Sequence, residues 1–418
     1  MRNASWCLTF LLAMVTPLLV LESCQAIPDA PGVAPFTPVP STEVSSPIAT
    51  PTLAAKLLPP ANVMQQSWVA YRQRFIQGNG RVIDREAEQR STSEGQAYAM
   101  LRAVMIGDRD TFDRTLQWAE RNLQRTTNGQ RSDQLWAWKW GRNAAGEWTI
   151  LDRNFASDAD VDAITALILA SRRWRHPEYQ TLARTKLHDL WQRSTVTRVN
   201  QKSRYLLPGP ASVFQTKTVV QINPSYLAPY AFRLFAQVDR DHNWFSLVDS
   251  SYQILQQASS LSTVKLPNDW VLLNLTTGKV QPLRVANPGT SDYGFDAYRI
   301  WWRLSLDAAW FKEPRARQYL QTYLVHLRQL WRSQQKIPAR INLQGKPVFA
   351  YEATSQYGML YAALRLVDPA TARQIEQQKL TPQYRNGFWD NDSAYYTQNL
   401  VWLGLLPPAT VAPFVKPQ

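Results

Sequence analysis

Three stretches of this 418-residue chain place carboxylates where an apolar helical pattern begins. The first is Ser91-Thr92-Ser93-Glu94-Gly95-Gln96, ahead of Ala97, Met100, Leu101, Val104 and Met105. The second packs Asp158, Asp160 and Asp162 into five positions, ahead of Ile164, Leu167, Ile168 and Trp174. The third sets Asp296 three residues before Arg299, among Phe295, Tyr298, Trp301 and Trp302. Ser93 with Gln96, and Ser157 with Asp160, have capping-box spacing, so each group of acids is expected at a helix N-terminus. There the helix offers unpaired N–H groups and partial positive charge. Clustered carboxylates raise one another's pKa, which is how a carboxylic acid keeps its proton near neutrality, whereas an arginine one turn away holds a carboxylate ionised and oriented.

Taken singly, each stretch could be a charged cap or a structural ion pair. Taken together, three acids at helix starts among aromatic rings are the equipment for cleaving a glycosidic bond. One acid protonates the leaving oxygen, a second carboxylate activates water, and flat aromatic faces stack on sugar rings. Other chemistries lack their parts. Both cysteines, Cys7 and Cys24, precede residue 25, which excludes thiol chemistry and cysteine-bound metal from the folded body. The four histidines, His176, His188, His242 and His326, show no H-x-x-x-H spacing, and no metal or other cofactor is expected. D-A-D-V-D lacks the glycine and distal glutamate of an EF-hand loop, the main calcium-binding rival.

The elements that must position these acids are helical. Trp68, Tyr71 and Phe75 form one apolar stripe, and Phe112, Leu116, Ala119 and Leu123 another. The pattern continues over 158–174, 178–193, 224–238, 242–259, 296–311, 315–333, 353–366 and 394–405, about a dozen helices with few strand-like segments. With 45% hydrophobic residues the chain can bury a large core, and the absence of an internal linker makes 62–410 one all-α domain, followed by a short tail at 411–418. A net charge of +14 permits anionic partners, but the charges are dispersed and no zinc-finger, RNA-recognition or P-loop pattern occurs, so nucleic acid is not an expected partner.

Residues 1–26 have the layout of an export signal: Arg2, an apolar run from Leu8 to Leu21, then small residues. Two outcomes are compatible with it, cleavage after Ala26 or lipidation of Cys24 in Leu21-Glu22-Ser23-Cys24, which would tether the protein to a membrane. Residues 27–61 hold nine prolines and read as an extended spacer. An exported monomer is the expected form, either secreted, periplasmic or membrane-tethered.

The segment A-S-D-A-D…L-I-L-A-S-R-R-W resembles the signature of glycoside hydrolase family 8, the cellulase D family, which includes the periplasmic endoglucanases of bacterial cellulose-synthesis systems. The Ala163-Ile164 pair stands in reversed order to the family's usual one. Further landmarks follow in family order: S-E-G-Q-A-Y-A-M at 93–100, L-W-A-W-K-W at 135–140, N-P-S-Y-L-A-P at 223–229, P-N-D-W at 267–270, F-D-A-Y-R at 295–299 and Y-Y-T-Q-N-L-V-W-L-G at 395–404. The resemblance implies an (α/α)6 barrel and an inverting mechanism. It implies Glu94 as general acid, Asp296 as general base with Arg299 beside it, and Asp158 as the residue that grips the distorted sugar. Trp138 and Tyr226 are implied to face the substrate, with Tyr298, Tyr351 and Trp270 as further candidates. The activity implied first is an endo-β-1,4-glucanase on cellulose-like chains; xylan, mixed-linkage glucan and chitosan are the alternatives, the last disfavoured by repulsion between two polycations. Outside that class stand a glucan-binding assembly factor without turnover, and a polysaccharide lyase, which would need a Tyr, His or Lys base rather than three acids.

Overall fold

Fourteen helices occur among the described residues of the computed structural model, which are 60–198, 203–283 and 291–417. They are α1 (Pro60–Phe75), α2 (Ser93–Ile106), α3 (Arg109–Asn122), α4 (Ser157–Trp174), α5 (Pro177–Arg193), the single-turn α6 (Ala211–Phe214) and α7 (Pro229–Val238). After these come α8 (Trp244–Ser259), α9 (Tyr298–Trp310), α10 (Pro314–Tyr323), α11 (Val325–Gln334), α12 (Thr354–Val367), α13 (Pro369–Ile375) and α14 (Tyr395–Leu405). The export signal and nearly all of the proline-rich spacer lie outside the described residues.

Helix composition decides layer. In α4 every residue from Ser157 to Arg172 is buried, as expected of a helix surrounded by protein on all sides. By contrast α3 buries only Thr111, Phe112, Thr115, Leu116, Trp118 and Ala119, one face of an amphipathic helix. Six helices form an inner ring in which α2 packs on α4, α4 on α7, α7 on α9, α9 on α12, α12 on α14, and α14 closes back onto α2. Each has an outer partner: α3 on α2, α5 on α4, α8 on α7, α10 on α9, α13 on α12 and α1 on α14. The result is the (α/α)6 barrel that the resemblance implied. Where α12 meets α14 the backbones nearly touch, since a Cβ at Gly404 would lie 2.1 Å from the Gly358 carbonyl oxygen.

Several expected boundaries shift for local reasons. The 224–238 pattern breaks into a 3-10 turn, Pro224–Tyr226, and α7, because Pro229 starts a new helix. The 315–333 pattern divides at Leu324 into α10 and α11. Short antiparallel strands are more numerous than the periodicity suggested: twelve, none longer than seven residues, among the described residues. Two of these small sheets matter for the site. Ser91–Thr92 pairs with Lys139–Arg142, joining the segment before Glu94 to the hairpin after Trp138. Val219–Ile222 pairs with Val271–Asn274 through Ile222 and Val271, which sets Asn223-Pro224-Ser225-Tyr226 beside Asp269-Trp270. Residues 411–417 are not a loose tail. Val411 and Val415 are buried, and Arg172 on α4 donates to the Val415 carbonyl at 2.6 Å.

Candidate active site

The N-terminal ends of inner helices α2, α4, α9 and α14 converge on one guanidinium. Arg299, in the first turn of α9, is 1% exposed. Its Nη1 donates to Glu94 Oε2 at 2.8 Å and to Asp158 Oδ2 at 2.8 Å. Its Nη2 donates to Asp296 Oδ1 at 2.6 Å and to Ser225 Oγ at 2.9 Å. The three acids singled out from the sequence therefore share one cation, although they lie on three segments far apart in the chain. The Tyr226 ring lies beside it, its centroid 5.2 Å from the guanidinium carbon.

Glu94 occupies the first turn of α2, but the cap is not the expected Ser93–Gln96 box. Thr92 is the N-cap and accepts the Gly95 N–H at 3.0 Å. Gln96 instead braces the preceding loop, accepting from Val82 N–H and donating to the Gly80 and Thr115 carbonyls. The space left by Gly95 is filled by the Tyr395 ring, whose hydroxyl donates to Glu94 Oε1 at 3.0 Å. Burial pushes the Glu94 carboxyl up to about 7; Arg299 and the Tyr395 hydrogen bond oppose this, while Asp158 and Asp296 add to it. Three carboxylates around one cation leave excess negative charge, and a proton on Glu94 relieves it.

The Ser157–Asp160 capping box is likewise not formed. Ala156 is the N-cap of α4, the Ser157 hydroxyl donates to the Leu207 carbonyl, and Asp160 Oδ1 accepts the Trp136 N–H. The three aspartates of this stretch thus divide their work. Asp158 is on Arg299, and burial raises its pKa against the pull of Arg299 and Arg303. Asp162 is paired with Arg303, one turn beyond Arg299, through bonds of 2.8 and 3.0 Å. Arg303 also donates to the Ser225 carbonyl at 2.7 Å, so two arginines one turn apart grip the same serine. Asp160 Oδ2 has no partner, and burial lifts this carboxyl to about 8.

Asp296 does not open α9 as the spacing suggested; it sits in the turn before it, two residues ahead of Tyr298. The expected i, i+3 pair with Arg299 forms there all the same. Its other oxygen, Oδ2, accepts the Trp270 indole N–H at 3.2 Å. The side chains of Glu94 and Asp296 remain 22% and 26% exposed, whereas Asp158 is only 3% exposed. The first two are open to solvent and the third is a floor.

The expected sugar-facing aromatics fare differently. Trp138 is half-buried beside the acid, its carbonyl accepting the Ser93 N–H. Tyr226 is nearly buried among the carboxylates. Trp270 is nearly buried too, stacked on Phe214 at 6.0 Å with its N–H spent on Asp296. Tyr351 is 47% exposed and stacked on Phe349. Tyr298 departs from expectation: it is fully buried and donates its hydroxyl to the Ala339 carbonyl, which leaves no face for a ligand. No spacing in the sequence singles out Ser225, Tyr395, Tyr98, Arg303 or Asp269 as parts of the site. Ser225, Tyr395, Tyr98 and Asp269 lie within the family landmarks, but a landmark does not say which of its side chains reach Arg299, Glu94 or the Asp296 turn.

The chain resembles known proteins along the same span. The endoglucanase of Pseudomonas fluorescens is 33% identical over 236 residues, 56% of this chain and 58% of that protein. The endoglucanase of Xanthomonas axonopodis pv. citri is 33% identical over 276 residues, 64% of this chain and 68% of that protein. Among solved structures, the endo-1,4-D-glucanase of Vibrio fischeri superposes with a TM-score of 0.70 at 25% identity, covering 81% of this chain and 93% of that one. The fold is also that of a family 8 xylanase from Teredinibacter turnerae, at TM-score 0.66 and 19% identity over 85% of this chain and 96% of that one. The model of the glycosyl hydrolases family 8 matches residues 44–408, and the chain belongs to that family.

Proposed function

We propose that the chain is an inverting endo-β-1,4-glucanase, with Glu94 as general acid, Asp296 as general base and Asp158 as the residue that binds and distorts the sugar at the scissile bond. The observation that carries this reading is the pair of part-exposed carboxyls held on one buried arginine, with burial keeping a proton on Glu94 near pH 7. A general acid needs that proton at working pH, and its partner must be able to take one from water. Asp296 accepts a hydrogen bond on each oxygen, one from a guanidinium and one from an indole, the arrangement of an acceptor-only group. Water attacking from the Asp296 side while Glu94 protonates the leaving oxygen breaks the bond in one displacement and inverts the anomeric carbon. Asp158 is buried with one oxygen on Arg299 and the other on its own helix N-terminus, which suits a fixed acceptor for a sugar hydroxyl.

Relatives described as endoglucanases support β-1,4-glucan as the substrate. The N-terminal pattern supports export, with a proline-rich spacer between the signal and the barrel. Release of reducing ends from carboxymethylcellulose, run beside xylan, mixed-linkage glucan and chitosan, tests the substrate. Binding of cellulose oligosaccharides without any product would replace the enzyme by a glucan-binding factor. NMR of fresh product tests the mechanism: the α-anomer is expected, and an initial β-anomer removes Asp296 from the role of base.

A further inference from the structure

The turn carrying Asp296 is held from beneath by a second carboxyl. Asp269 is 4% exposed, and its Oδ1 accepts the N–H of Ala297 at 2.8 Å and of Gly294 at 3.2 Å, the two bonds bracketing Asp296 in sequence. The contact is close: a Cβ at Gly294 would lie 2.5 Å from Asp269 Oδ2, so only glycine lets the carboxyl sit against the turn. Asp269 is itself anchored, its N–H donating to the Asp292 carbonyl at 2.8 Å. The next residue, Trp270, supplies the indole N–H on Asp296 Oδ2. One dipeptide therefore fixes both the backbone around Asp296 and one of its oxygens, while Arg299 fixes the other.

A buried carboxyl this close to a second one is costly. The nearest guanidinium nitrogen, Arg340 Nη2, is 3.9 Å away, and burial together with the Asp296 charge pushes the Asp269 pKa well up. What Asp269 Oδ1 supplies here is one acceptor oxygen whose two lone pairs hold two N–H groups at once, an arrangement a side-chain amide oxygen can reproduce and a methyl group cannot.

We propose that Asp269 is a positioning residue for the general base, holding the 294–297 turn so that Asp296 meets the attacking water in a productive geometry. This rests on Asp296 being the base. Misplacing a reacting group by about 1 Å can cost on the order of a hundredfold in rate.

The test is a double-mutant cycle read as kcat per folded molecule, with KM and oligosaccharide affinity measured alongside. Asp269→Ala should lower kcat about a hundredfold with KM and affinity within about twofold. Asp269→Asn, which keeps an oxygen acceptor, should restore most of that loss. Placed on Asp296→Asn, Asp269→Ala should cost little more, because the group it positions is gone. If Asp269→Ala does not fold, Gly294→Ala displaces the same carboxyl and should give the same kcat-selective loss. A folded Asp269→Ala or Gly294→Ala enzyme with kcat within about threefold of the parent overturns the proposal. So does an undiminished loss in the Asp296→Asn background. Full activity of Asp296→Asn alone would instead sink the assignment of the base and leave that failure separately visible.

Discussion

Arg299 donates Nη1 to Glu94 Oε2 at 2.8 Å across 205 positions of sequence. The pairing looks self-defeating for an acid, since a neighbouring cation favours the carboxylate. It is outweighed because burial opposes ionisation of the Glu94 carboxyl and because the same guanidinium also serves Asp158 and Asp296. Arg299 thus gathers three negative groups into a low-dielectric space that cannot hold them all ionised, and the part-exposed Glu94 is where the proton is best placed.

Replacing Glu94 by Gln keeps the shape and an acceptor oxygen for Arg299, turns the position facing the Tyr395 hydroxyl into an N–H donor, and removes the transferable proton. General acid catalysis contributes typically 10²–10⁴-fold, so kcat on cellulose oligosaccharides should fall by about that factor. Affinity for those oligosaccharides, measured by calorimetry, should stay within about twofold. Residual turnover above about a tenth of the parent rate would remove Glu94 from the acid's role.

With Glu94 as the general acid, the Tyr395 hydroxyl on its Oε1 is expected to tune the alkaline limit of activity. Its hydrogen bond stabilises the ionised carboxylate, so it lowers a pKa that burial has raised to about 7. Tyr395→Phe removes the bond and lets the pKa rise further. The alkaline limb of the kcat/KM profile should lie near pH 7 in the parent and move to higher pH in the variant. A limb that stays in place, or moves to lower pH, would show that another group controls it.

Much of this was legible in the chain because helix starts leave local marks. Glu94, Asp158 and Asp296 each precede an apolar 3.6-residue pattern, and the pattern yields the helices of the two layers of the barrel except α13, whose seven residues are too short to mark it. What the marks do not carry is direction. Ser93–Gln96 and Ser157–Asp160 have capping-box spacing, yet Gln96 and Asp160 bond to other segments, because both helices are buried and loops must also be satisfied. The same applies to Tyr298, which sits beside Arg299 in sequence but points into the core, whereas Tyr395 reaches Glu94 from the far end of the chain. Asp269 was illegible for a plainer reason. Its partners are backbone N–H groups, and every residue but proline has one.

Arg299 should hold the fold together as well as the site. Arg299→Met leaves Glu94, Asp158 and Asp296 facing each other without a cation, and breaking a buried pair in this way typically costs about 3–5 kcal/mol. The cost depends on those carboxylates being charged, so it should shrink near pH 4, where protons replace the missing arginine. Denaturant unfolding at pH 7 and pH 4 measures both. An equal loss at the two pH values would mean that Arg299 contributes packing rather than charge.

Asp160 predicts a stability slope of unusual sign. The carboxyl is fully buried in α4, with Oδ1 on the Trp136 N–H and Oδ2 unpartnered, and burial lifts its pKa from 3.8 to about 8. Between those values the folded chain binds a proton that the unfolded chain has released. Stability therefore falls as pH rises through this window and levels off above about pH 8. A side-chain amide cannot ionise, so Asp160→Asn should lose that part of the slope. The variant should gain on the parent between pH 5 and pH 8 by an amount on the order of a few kcal/mol, at 1.36 kcal/mol per pKa unit. Glu94 adds a slope of the same sign between 4.5 and about 7, but it is present in both proteins and cancels in their difference. Denaturation midpoints of the two at pH 5, 6.5 and 8 give the comparison, and parallel curves would mean that Asp160 is ionised in the folded protein with a cation compensating it.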